Sequence, residues 1–320
     1  MNSIGDLART IVLQSRQTQH KAMLNRLTKE LSTGQRSDLR QHLNGHTAQI
    51  ASLDHDMSLS REYLRTSTEA DNHLTQQQLA SDEIASALAD TQSQLNAARN
   101  APSVQTAGAL AASASGALER VISSISSSFA GRPLFPGGDM IGSAEDLLDL
   151  LSSTLPSPQS PDDRATAINA FFDDPAGPFQ NLLSQSDPAI FMLGKNQQTT
   201  LGITASHESI VATVKALATV AILARNQAEA PELSQAAFSF SQARSSMIET
   251  RAILGIEQQR VASARTTHRA QLSAFEQTRN DLTTIDPFET ASRLEETRFQ
   301  LEALYTVSAR IGRLSLMNYL

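Results

Sequence analysis

A chain of 320 residues is long enough for one large or two modest domains with a sizeable core. Hydrophobic residues make up 40% but aromatic ones only 4%, with no Trp, so the core must be built from Leu, Ala, Ile and Val, a composition that suits helix seams. The net charge of -7, with a pI near 5.5, excludes the basic face that a nucleic-acid binder requires, and the absence of Cys excludes disulfides, thiol chemistry and thiolate zinc sites.

The first segment places Ile4, Leu7 and Ile11 on one helical face, followed by Leu24, Leu27 and Leu31. Gly34 reads as the helix stop. The segment lacks a basic start, a continuous apolar run and a small-residue cleavage site, so no cleaved secretory signal is expected. From about residue 39 to 100 there is no Pro and a single Gly. Leu43, Ile50, Met57 and Leu64 repeat at a spacing of seven, with Leu53, Leu74, Leu88 and Leu95 three positions on. Ser60, Ser67, Asp71, Gln78 and Ser81 make this seam partly polar.

The middle changes character. An Ala- and Ser-rich helix is expected over 103–129, then a turn cluster over 129–138, a helix capped by Ser143 through Leu155, and a Pro-rich linker over 156–161. A helix begun by Ser160 and Pro161 runs to Phe172, and residues 173–178 break the chain again. Ala189 to Leu193 and Thr199 to Thr204 pair as a hairpin around Gly194, Lys195 and Asn196. His207 to Asn226 forms an apolar helix whose run from Ile210 to Ala224 is too short to span a bilayer, so no membrane insertion is expected.

A third periodic stretch starts at Pro231. Leu233, Phe240, Met247, Leu254, Val261, His268, Phe275 and Leu282 follow one another at a spacing of seven, a length of helix with no use in a small globule. Gly255 is expected to weaken or bend it. The last segment opens with Asp286 as a cap, Pro287 at the first helical position and Glu289 completing a capping box. Leu294, Leu301, Leu304, Ile311 and Leu314 then form a stripe that runs into Leu316, Met317, Tyr319 and Leu320. Such apolar terminal helices are expected to be buried by a partner.

These elements predict a mainly α fold, a long antiparallel helical rod or coiled coil formed by the N- and C-terminal segments, with a small mixed α/β insert. The expected division is an N-terminal assembly helix at 1–38, a helical rod at 39–129 and 205–285, an outward-facing insert at 130–204, and a C-terminal assembly helix at 286–320. The rod seam comprises Leu43, Ile50, Met57, Leu64, Leu233, Phe240, Met247, Leu254, Val261 and Phe275.

Candidate chemistry is sparse. His42 and His46, with Asp54, His55 and Asp56 further on, do not converge as metal ligands must, and they read as solvated or seam-edge groups. His268 reads as a hydrogen-bonded seam residue. The glycines of 129–138 lack the Lys-Ser/Thr pair of a phosphate loop. Asp162, Asp163, Asp173 and Asp174 each abut a Pro and read as caps and turns. No Gly-x-Ser-x-Gly elbow occurs. No catalytic, cofactor or metal site is expected.

Three motifs resemble those of the flagellin superfamily. Leu27, Leu31, Ser32, Gly34 and Arg36 match its N-terminal L-x-x-L-S-x-G-x-R segment; Leu134, Phe135 and Gly137 match its Leu-Phe-x-Gly turn; and the ending SLMNYL resembles the close of the member that joins hook to filament. Two features depart from the pattern: SDLRQHL replaces the usual Pro-Asp-Asp loop, and the extreme N-terminus matches loosely. The resemblance implies a structural protein of the bacterial flagellum, exported without signal cleavage to the cell exterior. It implies terminal helices that are disordered in the monomer and fold on head-to-tail assembly with other copies, a neighbouring hook-associated protein and filament flagellin. It also implies an export chaperone at the C-terminal region. The assembly interface would then comprise Ile4, Leu7, Ile11, Leu24, Leu27, Leu31, Leu294, Leu301, Leu304, Ile311, Leu314, Leu316, Tyr319 and Leu320. The alternatives are filament flagellin and a cytoplasmic coiled-coil scaffold, the latter leaving the motifs unexplained.

Overall fold

Backbone groups that cannot find partners across a sheet find them within helices, and this chain does so almost throughout. The computed structural model describes residues 3–39, 47–139, 141–155, 160–184 and 186–317. The elements are α1 (Ser3–Thr33), α2 (Ala48–Asn100), α3 (Val104–Ile125), β1 (Ser128–Phe129), β2 (Arg132–Pro133), α4 (Ala144–Thr154), α5 (Pro161–Asp173), α6 (Pro178–Leu182), β3 (Ala189–Gly194), β4 (Gln197–Leu201), α7 (Glu208–Arg225), α8 (Ala230–Thr283) and α9 (Pro287–Met317). The fold is mainly α, with two small antiparallel hairpins.

Two units divide the chain, one of Met1–Ser60 with Ala270–Leu320, the other Arg61–Arg269. In the first, α1 pairs with α9. The pairing is antiparallel: Gln17 Nε2 donates to Ser308 Oγ at 2.9 Å, while at the other end the Ile285 N–H donates to the Gly34 carbonyl at 3.1 Å. Asp54 of α2 takes Arg279 of α8 at 2.9 Å in the same unit.

The second unit holds the larger core. Asp71 pairs with Arg265, Asp82 with Arg251, and Gln92 with Arg244, which fixes α2 and α8 as antiparallel neighbours there. α3 packs on α7 and on α4. Arg120 of α3 reaches Glu83 and Asp90 of α2. α7 is apolar on all but the side that bears Lys215 and Thr219, and Ile210, Val214, Leu217, Ala218, Val220 and Ala221 are all buried, as a helix this apolar must be. Phe135, Phe171, Phe172, Phe179 and Phe240 fill the interior, with Phe172 set against both Phe171 and Phe179 at 4.8 Å between ring centroids. Among the described residues no helix is long and apolar enough to cross a membrane.

Several local expectations are refined. Ser103, Ser143 and Ser160 do cap their helices, each accepting from the backbone N–H three residues on. The 103–129 helix ends at Ile125, because Ser128–Phe129 pairs with Arg132–Pro133 as a hairpin inside the expected turn cluster. The break at 173–178 leads into the short α6, opened by Pro178. The 189–201 hairpin turns at Lys195 and Asn196, with a register shift at Gly194. α8 continues through Gly255. Asp286 caps α9, its Oδ1 accepting from the N–H groups of Phe288 and Glu289 at 2.9 and 3.1 Å. The Glu289 carboxylate pairs with Arg293 at 2.6 Å.

Candidate functional site

Functional features gather at two helix junctions and along the α1–α9 pair. The first junction is the end of α1. Gly34 has φ of +69°, a conformation that costs a side-chain-bearing residue about 1 kcal/mol or more, and its N–H closes the helix on the Glu30 carbonyl at 2.8 Å. That turn lets Arg36 N–H donate to the Thr283 carbonyl at 2.8 Å and lets Gly34 accept from Ile285. Ser32 donates to the Lys29 carbonyl at 2.8 Å. Gly34 and Arg36 thus stitch the end of α1 to the corner between α8 and α9, while Ser32 bonds within α1.

The second junction is built on Gln77 of α2, which is fully buried. Its Nε2 donates to the carbonyls of Leu134 and Ile203, at 2.7 and 2.8 Å, and its Oε1 accepts from the Ile203 N–H at 3.2 Å. One amide therefore satisfies three backbone groups that two separate loops bring into the core. Gly202, at φ of +85°, makes room for it, since a Cβ there would lie 2.4 Å from Gln77 Oε1. Leu134 and Phe135 are buried beside it, and Gly137 accepts from the Ser184 N–H at 3.1 Å. Sequence reasoning missed Gln77 and Gly202. A Gln between two apolar rows was the available signal, although Gln78 beside it carried the same signal.

Two histidines hold the 189–201 hairpin. His268 Nε2 lies 2.6 Å from the Leu193 carbonyl and donates to it, and its ring sits 5.2 Å from that of Tyr63. His73 is buried against Phe191, whose other neighbour is the Arg132 guanidinium. Burial, and secondarily the Arg132 charge, holds the His73 imidazole below its ordinary pKa. At the start of α7, His207 accepts from the Ser209 N–H, and burial lowers its pKa as well, against the opposing charge of Glu208.

The terminal rows lie as follows. On α9, Leu294, Leu301, Leu304 and Ile311 are half-buried, in one four-and-three row with Thr290, Thr297 and Ser308. On α1, Leu27 is buried and Leu24 half-buried, while Ile11 and Leu31 are exposed. Ile4 and Leu7 fall on α1, and Leu314 and Leu316 on α9. Tyr319, Leu320, Leu43, His42 and His46 lie outside the described residues. In the long helices, Ile50, Met57, Leu233, Phe240, Met247, Leu254 and Val261 are buried, and Leu64 and Phe275 half-buried. The large exposed side chains Phe288, Phe299, Tyr305 and Val307 of α9 were not singled out by the periodicity. Asp163 bonds to the Ser160 cap, Asp173 pairs with Lys215, and Asp174 closes a turn on the Ala176 N–H. Among the described residues no group of three His, Cys, Asp or Glu side chains converges as metal ligands would.

Paired antiparallel helices, glycine-set junctions and a hairpin-bearing core define a mainly α fold. Residues 239–320 match the family described as the bacterial flagellin C-terminal helical region. The fold is similar to that of a protein assigned as a flagellar hook-associated protein of Vibrio parahaemolyticus, with a TM-score of 0.51 at 9% identity, over 73% of this chain and 96% of that one. No curated protein matches by sequence. The C-terminal quarter of the chain is thus similar to the helical region that closes bacterial flagellins, and the fold is similar to that of a flagellar hook-associated protein.

Proposed function

We propose that this chain is the hook-filament junction protein of the flagellum, which polymerises head to tail through α1 and α9. The observation that carries the reading is the pairing of α1 with α9 through the half-buried row Leu294, Leu301, Leu304 and Ile311. Two helices alone bury little, so the pair gains further burial only from neighbours. The SLMNYL ending and the hook-associated identity of the structural neighbour support the junction over the filament. In this reading the segments 1–38 and 286–320 are the assembly helices, 39–129 and 205–285 the stem, and 130–204 an outward-facing insert. The partners are other copies, a neighbouring hook-associated protein and filament flagellin. An export chaperone holds the C-terminal region before passage through the export apparatus without signal cleavage. The role is structural and not catalytic.

The test is complementation. A strain lacking its own junction protein should regain attached filaments when this chain is supplied, and an antibody should label a narrow band at the filament base. Label along the whole filament would show the competing identity, filament flagellin, which the match to the flagellin C-terminal region favours equally. Quantifying secreted chain separates export from assembly. Replacing Leu301, Leu304 and Ile311 by polar residues should block attachment of an otherwise exported chain.

A further inference from the structure

The unit Arg61–Arg269 holds a groove of about 740 Å³ between α5, α7 and α8. Ala212 and Ala216 of α7 and Ala236 and Ala243 of α8 line it, with Ile168 of α5 beside them. Side chains this short leave the space between the three helices unfilled. The connection 226–229 joins α7 to α8, and both helices line the groove over similar lengths, so they run antiparallel and the groove has two distinct ends. At one end Arg164 of α5 pairs with Glu232 of α8 at 2.8 Å, both side chains largely buried. Further along, Lys215 of α7 pairs with Asp173 at 2.6 Å. Both cations that line the groove are therefore matched by carboxylates of this chain. α5 stops at Asp173, so about two turns of α7 continue past it to Glu208. Glu208 and Glu249 line this far end, and neither has an ion pair among the described residues.

Between these ends the walls are neutral and hydrogen-bonding. Asn169, Gln235 and Gln242 line them with exposed side-chain amides, and Ser239 stands between the two glutamines along α8. Among the described residues none of the three amides has a hydrogen-bond partner. Each amide offers donors and an acceptor side by side, which matches the C=O and N–H of an extended backbone. A protonated polyamine has no acceptor for the amide N–H groups, and a neutral sugar brings no charge for the two carboxylates. The volume is that of a site for a small molecule or a few residues of peptide. The surrounding field has the same sign as the far end. Residues 139–187, which include the α5 wall, hold nine acidic residues against one basic, Arg164, and such a surface draws cations toward it.

We propose that the groove between α5, α7 and α8 binds a short basic segment of a partner polypeptide in extended form. Its backbone lies along Asn169, Gln235 and Gln242, and a Lys or Arg side chain meets Glu208 and Glu249. Every lining residue belongs to the central unit, so the site goes beyond the assembly reading and does not rest on it. The main-chain hydrogen bonds supply affinity, and the exposed carboxylates choose the sign of the partner.

The probe is a fluorescein-labelled octapeptide of alternating Lys and Ser, titrated against the full-length chain by fluorescence anisotropy, with a Gln-Ser peptide and spermine as comparators. The Lys-Ser peptide should bind about tenfold more tightly than the Gln-Ser peptide, and spermine should compete only weakly. Glu208→Gln together with Glu249→Gln should weaken binding about tenfold. Asp149→Asn together with Asp187→Asn removes the same charge from exposed positions outside the groove, and should change the affinity by less than about twofold. Ser239→Trp fills the middle of the groove from an exposed position, and should abolish binding with the melting temperature unchanged. Equal losses from the two carboxylate pairs, or full competition by spermine, would show diffuse charge attraction and overturn the site. Binding that survives Ser239→Trp overturns it as well, as does a Lys-Ser peptide that does not bind. None of these outcomes bears on filament attachment, which tests the assembly reading separately.

Discussion

The α1–α9 pair and the core of Arg61–Arg269 are written in the same seven-residue spacing, yet they bury their residues to different depths. Phe240, Met247, Leu254 and Val261 of α8 are almost fully buried, because α3 and α7 add further apolar surface to the core they enter. Leu294, Leu301, Leu304 and Ile311 of α9 are only half-buried, since the opposite helix covers one side of each. Aromatic residues follow the same division. Phe135, Phe171, Phe172, Phe179 and Phe240 lie inside the central core, and Phe288 and Phe299 lie on the surface of the terminal pair. A heptad row therefore reports which residues share a face, while the number of layers around it decides how much stability that face supplies.

The largest expected effect tests this difference in depth. Phe240→Ala should cost about 3–5 kcal/mol and lower the main thermal transition, whereas Leu301→Ala, starting half-buried, should cost about 1–2 kcal/mol. Equal losses, measured by denaturant titration of both variants, would break the comparison. Next comes the buried amide. Gln77→Leu strands the Leu134 and Ile203 carbonyls and the Ile203 N–H, for a loss on the order of 3 kcal/mol. Hydrogen exchange at the Ile203 N–H should rise with it, and protection retained there would show that the clamp is dispensable.

Acid should act on the central unit before the terminal pair. His73 and His207 have pKa values depressed below the ordinary 6.5, so the folded state binds fewer protons than the unfolded one. Their contribution is fully present above 6.5 and is lost as pH falls through the depressed folded values. Melting temperature should therefore decline on acidification below that point, and His73→Phe should flatten the decline. An unchanged slope in that variant would remove His73 from the account. The smallest effect is a gain. Gly255 sits within α8 with open space where a Cβ would go, so Gly255→Ala should stabilise by about 0.5–1 kcal/mol. A loss on calorimetry would reveal a packing or bending role for this glycine.

Much of the fold was legible in particular residues. The caps Ser103, Ser143, Ser160 and Asp286 marked helix starts, because an unpaired helical N–H needs a local acceptor whatever surrounds it. The Lys195-Asn196 turn was legible for the same reason, since turn chemistry is local. The ending SLMNYL and the motif residues Gly34 and Phe135 were legible as resemblance, but their work was not. Gly34 brings Arg36 to Thr283, and Leu134 beside Phe135 meets Gln77, across spans of the sequence with no pattern of their own.

The sequence by itself determined the helices, their apolar faces and the places where they stop, all of which follow from backbone geometry and side-chain spacing within a few turns. The tertiary structure alone decided which buried polar group answers which backbone, as Gln77 and His268 do. It also decided that the conspicuous stripe of α9 turns toward α1 while Phe288 and Phe299 face outward. The physical reason is that periodicity fixes direction around one helix axis. Burial and hydrogen-bond satisfaction depend on which other surfaces arrive there, and those come from residues far away in the chain.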